Sequence, residues 1–573
     1  MKNNITKYVS HLNSFFLIGF QIKSFSDYQI LQHSCILALV FINHMSENSS
    51  SHPKGLYVLY STEMWERFNF YGMRALLSLF LVNALAFKQT DASILYGGFL
   101  GLSYLTTMAG GYISDRFLGN RNCILIGGMV MAIGQLFMFS SASTFQMDLS
   151  LSQNLMWGGL FFLIIGNGFF KPNISSMVGQ LYRKGDNRLD AAFTIFYMGI
   201  NTGALLGMLI CPFLGDVKVD GIRVLDAFKW GFFAAGTAML IGTISFYFLK
   251  NKYIIDPDGR PVGGKPFSEN ESQMVSNETE KAEFSTQSII SAIILFVGLI
   301  FTFHYFFVTE EPNVIKDWIY PVIYSSGISL AFLIITDKTI TSIERNRILV
   351  MYIISFFVIF FWASFEQAGS SLTFIADQQT DLHFLGIELP PSSVQNANSF
   401  FIILLAFPFS WLWIWLNKRG LEPNSPAKQA IGLLLLSIGY LIIASQIKNL
   451  GSSKLGVIWL IIMYLFHTMG ELCLSPIGLS LVSKLAPKRF SSLLMGVWFL
   501  ANAAGYALAG TLGALLPPAE QVAGQMKFPS FLGFEIHNLY DFFMLFVTLT
   551  GIAAIILYVL AIGPLKRMMH GIR

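Results

Sequence analysis

The sequence predicts an all-α polytopic membrane protein, and three observations carry that expectation. Of 573 residues, 54% are hydrophobic and only 12% are charged, against about 25% charged in an ordinary soluble domain. Aromatics make up 15% of the chain, with 54 phenylalanines, and the mean hydropathy is +0.58, so most of the chain must lie in a solvent that does not penalise apolar surface. Finally, fourteen runs long and apolar enough to cross a bilayer alternate with polar loops.

In chain order the expected spans are 56–86, 93–115, 121–140, 154–180, 188–212, 228–249, 288–308, 319–336, 347–376, 396–417, 428–446, 455–484, 490–516 and 538–563. The one long hydrophilic segment in the body of the chain, 251–287, contains Asp256-Pro257-Asp258-Gly259 and reads as a solvated linker. Cytoplasmic loops carry an excess of Lys and Arg. With the first helix starting in the cytoplasm, 22 such residues fall on the cytoplasmic side and 8 opposite. Both termini are therefore expected in the cytoplasm. Residues 1–44 fit poorly: their apolar run, 30–43, is short and interrupted by Gln32, His33 and Asn43, and no signal-peptide cleavage pattern follows. Residues 1–53 read as a dispensable extension.

Several function classes are disfavoured. The net charge of +4 is small for the length and not gathered in one patch, which argues against nucleic-acid binding. Cys35, Cys123, Cys211 and Cys473 are scattered singly through apolar runs, without disulfide or metal-ligand spacing. No metal site and no cofactor are expected. A membrane enzyme is disfavoured because no HExxH, acidic metal cluster or nucleophile motif stands beside the buried charges.

Those charges are the main functional signal, because an ionisable side chain at mid-bilayer costs about 2.5–3.5 kcal/mol on insertion scales. Glu63, Glu66, Arg67 and Arg74 lie in the first span, Lys171 in the fourth, Glu366 in 347–376 and Glu471 in 455–484. Helical spacing puts Glu63, Glu66, Arg67, Tyr71 and Arg74 on one face. A single buried pair could be a structural salt bridge. Seven groups from both halves of the chain point instead to a shared polar cavity, suited to a zwitterion: cations for its carboxylate, Glu471 and amides for its ammonium group.

The segment Glu63-Met-Trp-Glu66-Arg67-Phe-Asn-Phe70-Tyr71-Gly72-Met-Arg74 resembles the ExxERFxYYGMR signature of proton-dependent oligopeptide transporters, a branch of the major facilitator superfamily. Phe196-Tyr197-Met-Gly-Ile-Asn201-Thr-Gly203 is similar to that family's FYxxINxG motif. Gly168-Phe-Phe-Lys171-Pro172-Asn173, Phe361-Trp362 with Phe365-Glu366-Gln367, and Gly470-Glu471-Leu-Cys-Leu-Ser475-Pro476-Ile-Gly478 resemble three further signatures, and Gly111-Tyr-Ile-Ser-Asp115-Arg116 a superfamily loop. The resemblance runs from Lys54 to the C-terminus. It implies two six-helix bundles, 54–250 and 347–573, with 251–346 holding a linker and two extra helices. It also implies roles: Arg67, Arg74 and Lys171 for the peptide carboxylate, Asn201, Asn398 and Glu471 for its amino group, and Tyr71, Tyr104, Tyr197, Trp362, Ser475 and Trp498 for side-chain pockets. Glu63, Glu66 and Glu366 fall at positions tied to proton coupling. Phe70 departs from the pattern, which has Tyr there, so one hydroxyl contact is missing.

The expected function is proton-coupled import of di- and tripeptides by a monomer in the lipid bilayer, the proton being the only coupling ion. A same-fold carrier of nitrate or another small solute, or a non-transporting peptide sensor, is the alternative. Rocking of the bundles about a midplane site would be gated by Lys171 with Glu471 on one side and Arg74 with Glu366 on the other. No histidine lies between Pro53 and Phe303, so a proton carrier in the first bundle must be a carboxylate; His304, His383 and His467 read as structural or surface residues.

Overall fold

The computed structural model describes residues 52–572 apart from 184–185, 187, 266–283, 310, 449, 451–452 and 519–527. The N-terminal run 30–43, Cys35 and residues 266–283 of the 251–287 linker lie outside the described residues. Fourteen long helices are described. The first six are α1 (Lys54–Asn83), α2 (Gln89–Ile113), α3 (Asn120–Thr144), α4 (Leu149–Gln180), α5 (Leu189–Gly215) and α6 (Phe228–Tyr253). An intervening pair follows, α7 (Thr286–Phe307) and α8 (Tyr320–Ile335). The last set is α9 (Ser342–Phe365), a short α10 (Ser371–Gln378), α11 (Asn396–Lys418), α12 (Ser425–Ile447), α13 (Val457–Leu485), α14 (Ser491–Gly513), α15 (Leu539–Ile562) and the terminal turn α16 (Pro564–Met568).

Twelve of the described helices are long and apolar enough to cross a membrane, two fewer than the fourteen spans expected. The long helices outside that set are α1 and α2. Their composition explains it: α1 carries five charged side chains, and α2 is rich in glycine and hydroxyl residues. Both nevertheless pack as full members of the first bundle, α1 against α5 and α6 and α2 against α4. In the second, α12 packs on α13 and α15, and α9 on α14. The bundles meet mainly where α2 lies along α14 and α5 touches α11. Outward, α7 exposes Ile290, Ile294, Phe301 and Phe306, as a lipid-facing helix must.

Local sequence sets the helix ends. Asp148 caps α4 by accepting from Leu151 N at 2.9 Å, Thr341 and Glu344 form a capping box on α9, and Asn424 caps α12. Pro172 removes the amide that would bond the carbonyl of Gly168. That freed carbonyl faces Gly110, where an added Cβ would stand 1.9 Å from it. The contact fixes α2 against α4 one turn before Lys171. The motif glycine Gly203 has the same origin, since a Cβ there would lie 2.1 Å from the carbonyl of Met64 on α1.

Two expectations need correction. The span 347–376 is not one helix: α9 ends at Phe365, a 3-10 turn covers Glu366–Gly369, and α10 restarts at Ser371. The break is tertiary in origin. Gly369 lies against the Tyr96 hydroxyl, with no room for a Cβ, and Ser78 donates to the Gly369 carbonyl. Nor is the start of the linker free in solvent. Ile254 and Val262 are buried, and Arg121 donates to the carbonyls of Val262, Ile254 and Lys250 and to Asn251 Oδ1. A fixed guanidinium satisfying this many acceptors holds 250–262 against the start of α3.

At the end remote from Lys54, ion pairs join the two halves. Arg223, in the α5–α6 hairpin, donates to both oxygens of Asp377 at 2.9 Å, and Lys218 reaches the same carboxylate at 2.9 Å. Arg223 also pairs with Asp216 at 2.8 Å, and Asp216 accepts from the Ser392 amide and hydroxyl at 3.0 and 2.7 Å. Removing one partner of such a shielded network leaves uncompensated charge. We therefore expect Asp377→Ala to loosen this end: in a variant freed of native cysteines, a cysteine at Ser399 should react with an impermeant thiol reagent from that face at least about tenfold faster. Unchanged labelling would show that apolar helix packing alone keeps it shut.

Candidate functional site

Between the bundles lies a cavity of about 340 Å³, within the size range of small-molecule sites. Its wall includes Glu63, Arg67, Tyr71 and Arg74 from α1, Tyr104 from α2, Lys171 from α4, Tyr197 and Asn201 from α5, Trp362 from α9, and Glu366 from the turn after it. Asn398 of α11, Glu471 and Ser475 of α13, and Trp498 of α14 complete the set. Of the fifteen positions singled out in the sequence, only Glu66 is absent from this lining. It is fully buried behind it, 3.0 Å from Arg67 Nε.

The charges are arranged asymmetrically. Arg67 Nε lies 2.6 Å from Glu63 Oε1 and 3.0 Å from Glu66 Oε2, so two carboxylates share one guanidinium. One oxygen of Glu63 and both of Glu66 are buried without a hydrogen bond. Across the bundle interface, Arg74 Nη1 is 3.1 Å from the Glu366 carboxylate, and the Tyr96 hydroxyl donates to Glu366 Oε2 at 3.2 Å. Of the two gating pairs expected, this one is formed. The other is not: among the described residues Lys171 makes no ion pair, and its ammonium sits 3.5 Å over the Tyr104 ring, a cation–π contact. Glu471 is instead held by Asn398, whose Nδ2 donates to Oε2 at 3.0 Å and to Thr468 Oγ1 at 3.0 Å.

The remaining wall is aromatic and amide-rich. Tyr104 packs edge-on against Tyr506 at 4.9 Å, and Tyr506 against Trp362 at 5.7 Å. Trp362 Nε1 and Ser475 Oγ are buried without partners, free to meet a ligand. Asn201 donates to the Tyr197 carbonyl at 3.0 Å, which aims it along its own helix. Phe70 stacks on Phe99 at 5.7 Å, so the ring lacking a hydroxyl is seated in packing. Tyr96, Gln395, Asn502 and Tyr506 were missed by the sequence reading. Asn502 and Tyr506 follow Trp498 at four-residue intervals, a spacing that could have found them.

The expected structural and surface histidines fall as follows. His467 is fully buried, 4.6 Å from the Tyr440 ring; His304 stacks on Trp318 at 3.9 Å; His383 pairs with Asp381 at 2.8 Å outside the helices. Among the described residues no cluster of His, Cys, Asp or Glu could hold a metal.

Comparison with known proteins follows the same lines. A peptide transporter of Yersinia enterocolitica is 32% identical over 470 residues, covering 81% of this chain and 88% of that protein. The di-/tripeptide transporter of Lactococcus lactis subsp. lactis is 30% identical over 497 residues, covering 84% and 93%. A crystal structure of a POT family transporter in complex with 5-aminolevulinic acid matches with a TM-score of 0.71 at 28% identity, over 91% of this chain and 98% of that one. The POT family model matches residues 121–527. The fold is thus the major facilitator arrangement of two six-helix bundles with two helices between them, and this integral membrane protein belongs to the POT family.

Proposed function

We propose that this protein imports di- and tripeptides by proton-coupled symport, rocking its two bundles about the central cavity. The observation that carries the reading is the polarity of that cavity: Arg67 and Lys171 stand on the first bundle and Glu471 with Asn398 on the second, so a zwitterion of peptide length would bridge the halves. A carrier of a simple anion has no need of Glu471. The relatives named above as peptide transporters point the same way. The crowded carboxylates at Glu63 and Glu66, and the interbundle pair Arg74–Glu366, supply groups whose charge a proton can cancel.

The site is built within one chain, which supports function as a monomer; the Lys and Arg bias between loops supports cytoplasmic termini, and the relatives from bacteria support a bacterial inner membrane. The test is counterflow of labelled dipeptide in proteoliposomes under an imposed pH gradient. Accumulation that follows the proton gradient and is blocked by unlabelled di- and tripeptides is expected. Uptake that needs sodium, or that survives collapse of the proton gradient, would sink the coupling; nitrate transport without peptide transport would replace the substrate.

A further inference from the structure

Asn502 lies on α14 four residues after Trp498 and four before Tyr506, so all three share the face that lines the cavity. The residue is 6% exposed, and its Oδ1 is buried without a hydrogen-bond partner. Nearby, α9 approaches α14 so closely that a Cβ on Gly505 would stand 2.8 Å from the Trp362 Cβ. This brings the Trp362 ring onto Tyr506, and its Nε1 is likewise a buried polar atom without a partner. One group accepts and the other donates. Left empty of a polar partner, each bears the cost of desolvation with no hydrogen bond to offset it.

The aromatic part of this corner ties it to one end of the ligand. Tyr506 and Phe499 pack against Tyr104 at 4.9 and 6.3 Å, and the Lys171 ammonium lies 3.5 Å over that same Tyr104 ring. If Lys171 takes the peptide carboxylate, the side chain that enters this corner belongs to the C-terminal residue. We propose that Asn502, with Trp362 Nε1, forms a polar subsite that selects peptides whose C-terminal side chain carries a hydroxyl or carboxamide, a group able to donate and accept at once. The inference rests on the peptide reading above.

The experiment measures half-saturating concentrations for two near-isosteric pairs, Ala-Tyr with Ala-Phe and Ala-Gln with Ala-Met, in wild type, Asn502→Leu and Asn502→Ala. In wild type the hydrogen-bonding member of at least one pair should be favoured by roughly threefold to tenfold. Both variants should lose that preference while still transporting Ala-Phe. Discrimination that persists in either folded variant, or no discrimination by wild type in both pairs, overturns the proposal; the wild-type comparison does so even if neither variant folds. Absence of any dipeptide transport by wild type would instead remove the peptide reading, a distinguishable failure.

Discussion

Glu366→Gln should abolish accumulation of peptide driven by a pH gradient while leaving counterflow within about tenfold of wild type. Glu366 stands at the C-terminal end of α9, where the helix breaks, and reaches Arg74 Nη1 at 3.1 Å across the bundle interface. Both residues are buried, at 3% and 7% exposure, so their attraction is screened far less than at a surface. At an effective dielectric of about 20, opposite charges about 4 Å apart attract by about 4 kcal/mol. Protonating Glu366 removes that attraction and releases Arg74 toward a peptide carboxylate. A glutamine keeps the shape and an oxygen for Tyr96 but fixes the charge at zero, as if permanently protonated. Opening and closing then continue, and the link to the proton is lost. If Glu366→Gln accumulates peptide as wild type does, coupling belongs to Glu63 or Glu66.

Residues differ in how much of their role is legible in the sequence, for physical reasons. Apolar runs separated by polar loops mark helices because lipid leaves the backbone few alternatives, so thirteen of the expected spans meet single helices of similar extent. The span that failed, 347–376, breaks because Gly369 must fit beneath Tyr96 and accept from Ser78, neighbours some 270 to 290 positions away in the chain. No local pattern encodes that. Charged residues were visible because they have no business in lipid unless they share a cavity. Asn502 and Tyr96 were not, because an amide or a tyrosine inside a helix is ordinary until packing shows what it faces. The grip of Arg121 on 250–262 was hidden for the same reason: its acceptors are mostly backbone carbonyls, which any sequence supplies.

Lys171→Ala and Glu471→Ala should each weaken peptide binding, and therefore lower exchange and accumulation together, in contrast to Glu366→Gln. In the structure neither is spent on the other: Lys171 rests on the Tyr104 ring, and Glu471 takes one amide from Asn398. A peptide carboxylate would replace the weak ring contact of Lys171 by a charge-assisted hydrogen bond, and a peptide ammonium would add donors to Glu471. Hydrogen bonds to charged groups are worth about 1.5–3 kcal/mol, so the half-saturating concentration should rise roughly tenfold to a hundredfold in each variant. Modified peptides separate the two roles. Amidating the C-terminus should cost wild type and Glu471→Ala much of their affinity but make little further difference to Lys171→Ala. Acetylating the N-terminus should penalise wild type and Lys171→Ala but be nearly neutral in Glu471→Ala. The comparison is a double-mutant cycle in which the ligand is one of the mutated partners, so it reports the coupling between each side chain and each peptide end. A Lys171→Ala protein that still distinguishes a free carboxylate from an amide as sharply as wild type would pass the anion-binding role to Arg67 and Arg74, and would leave Lys171 to the gate alone.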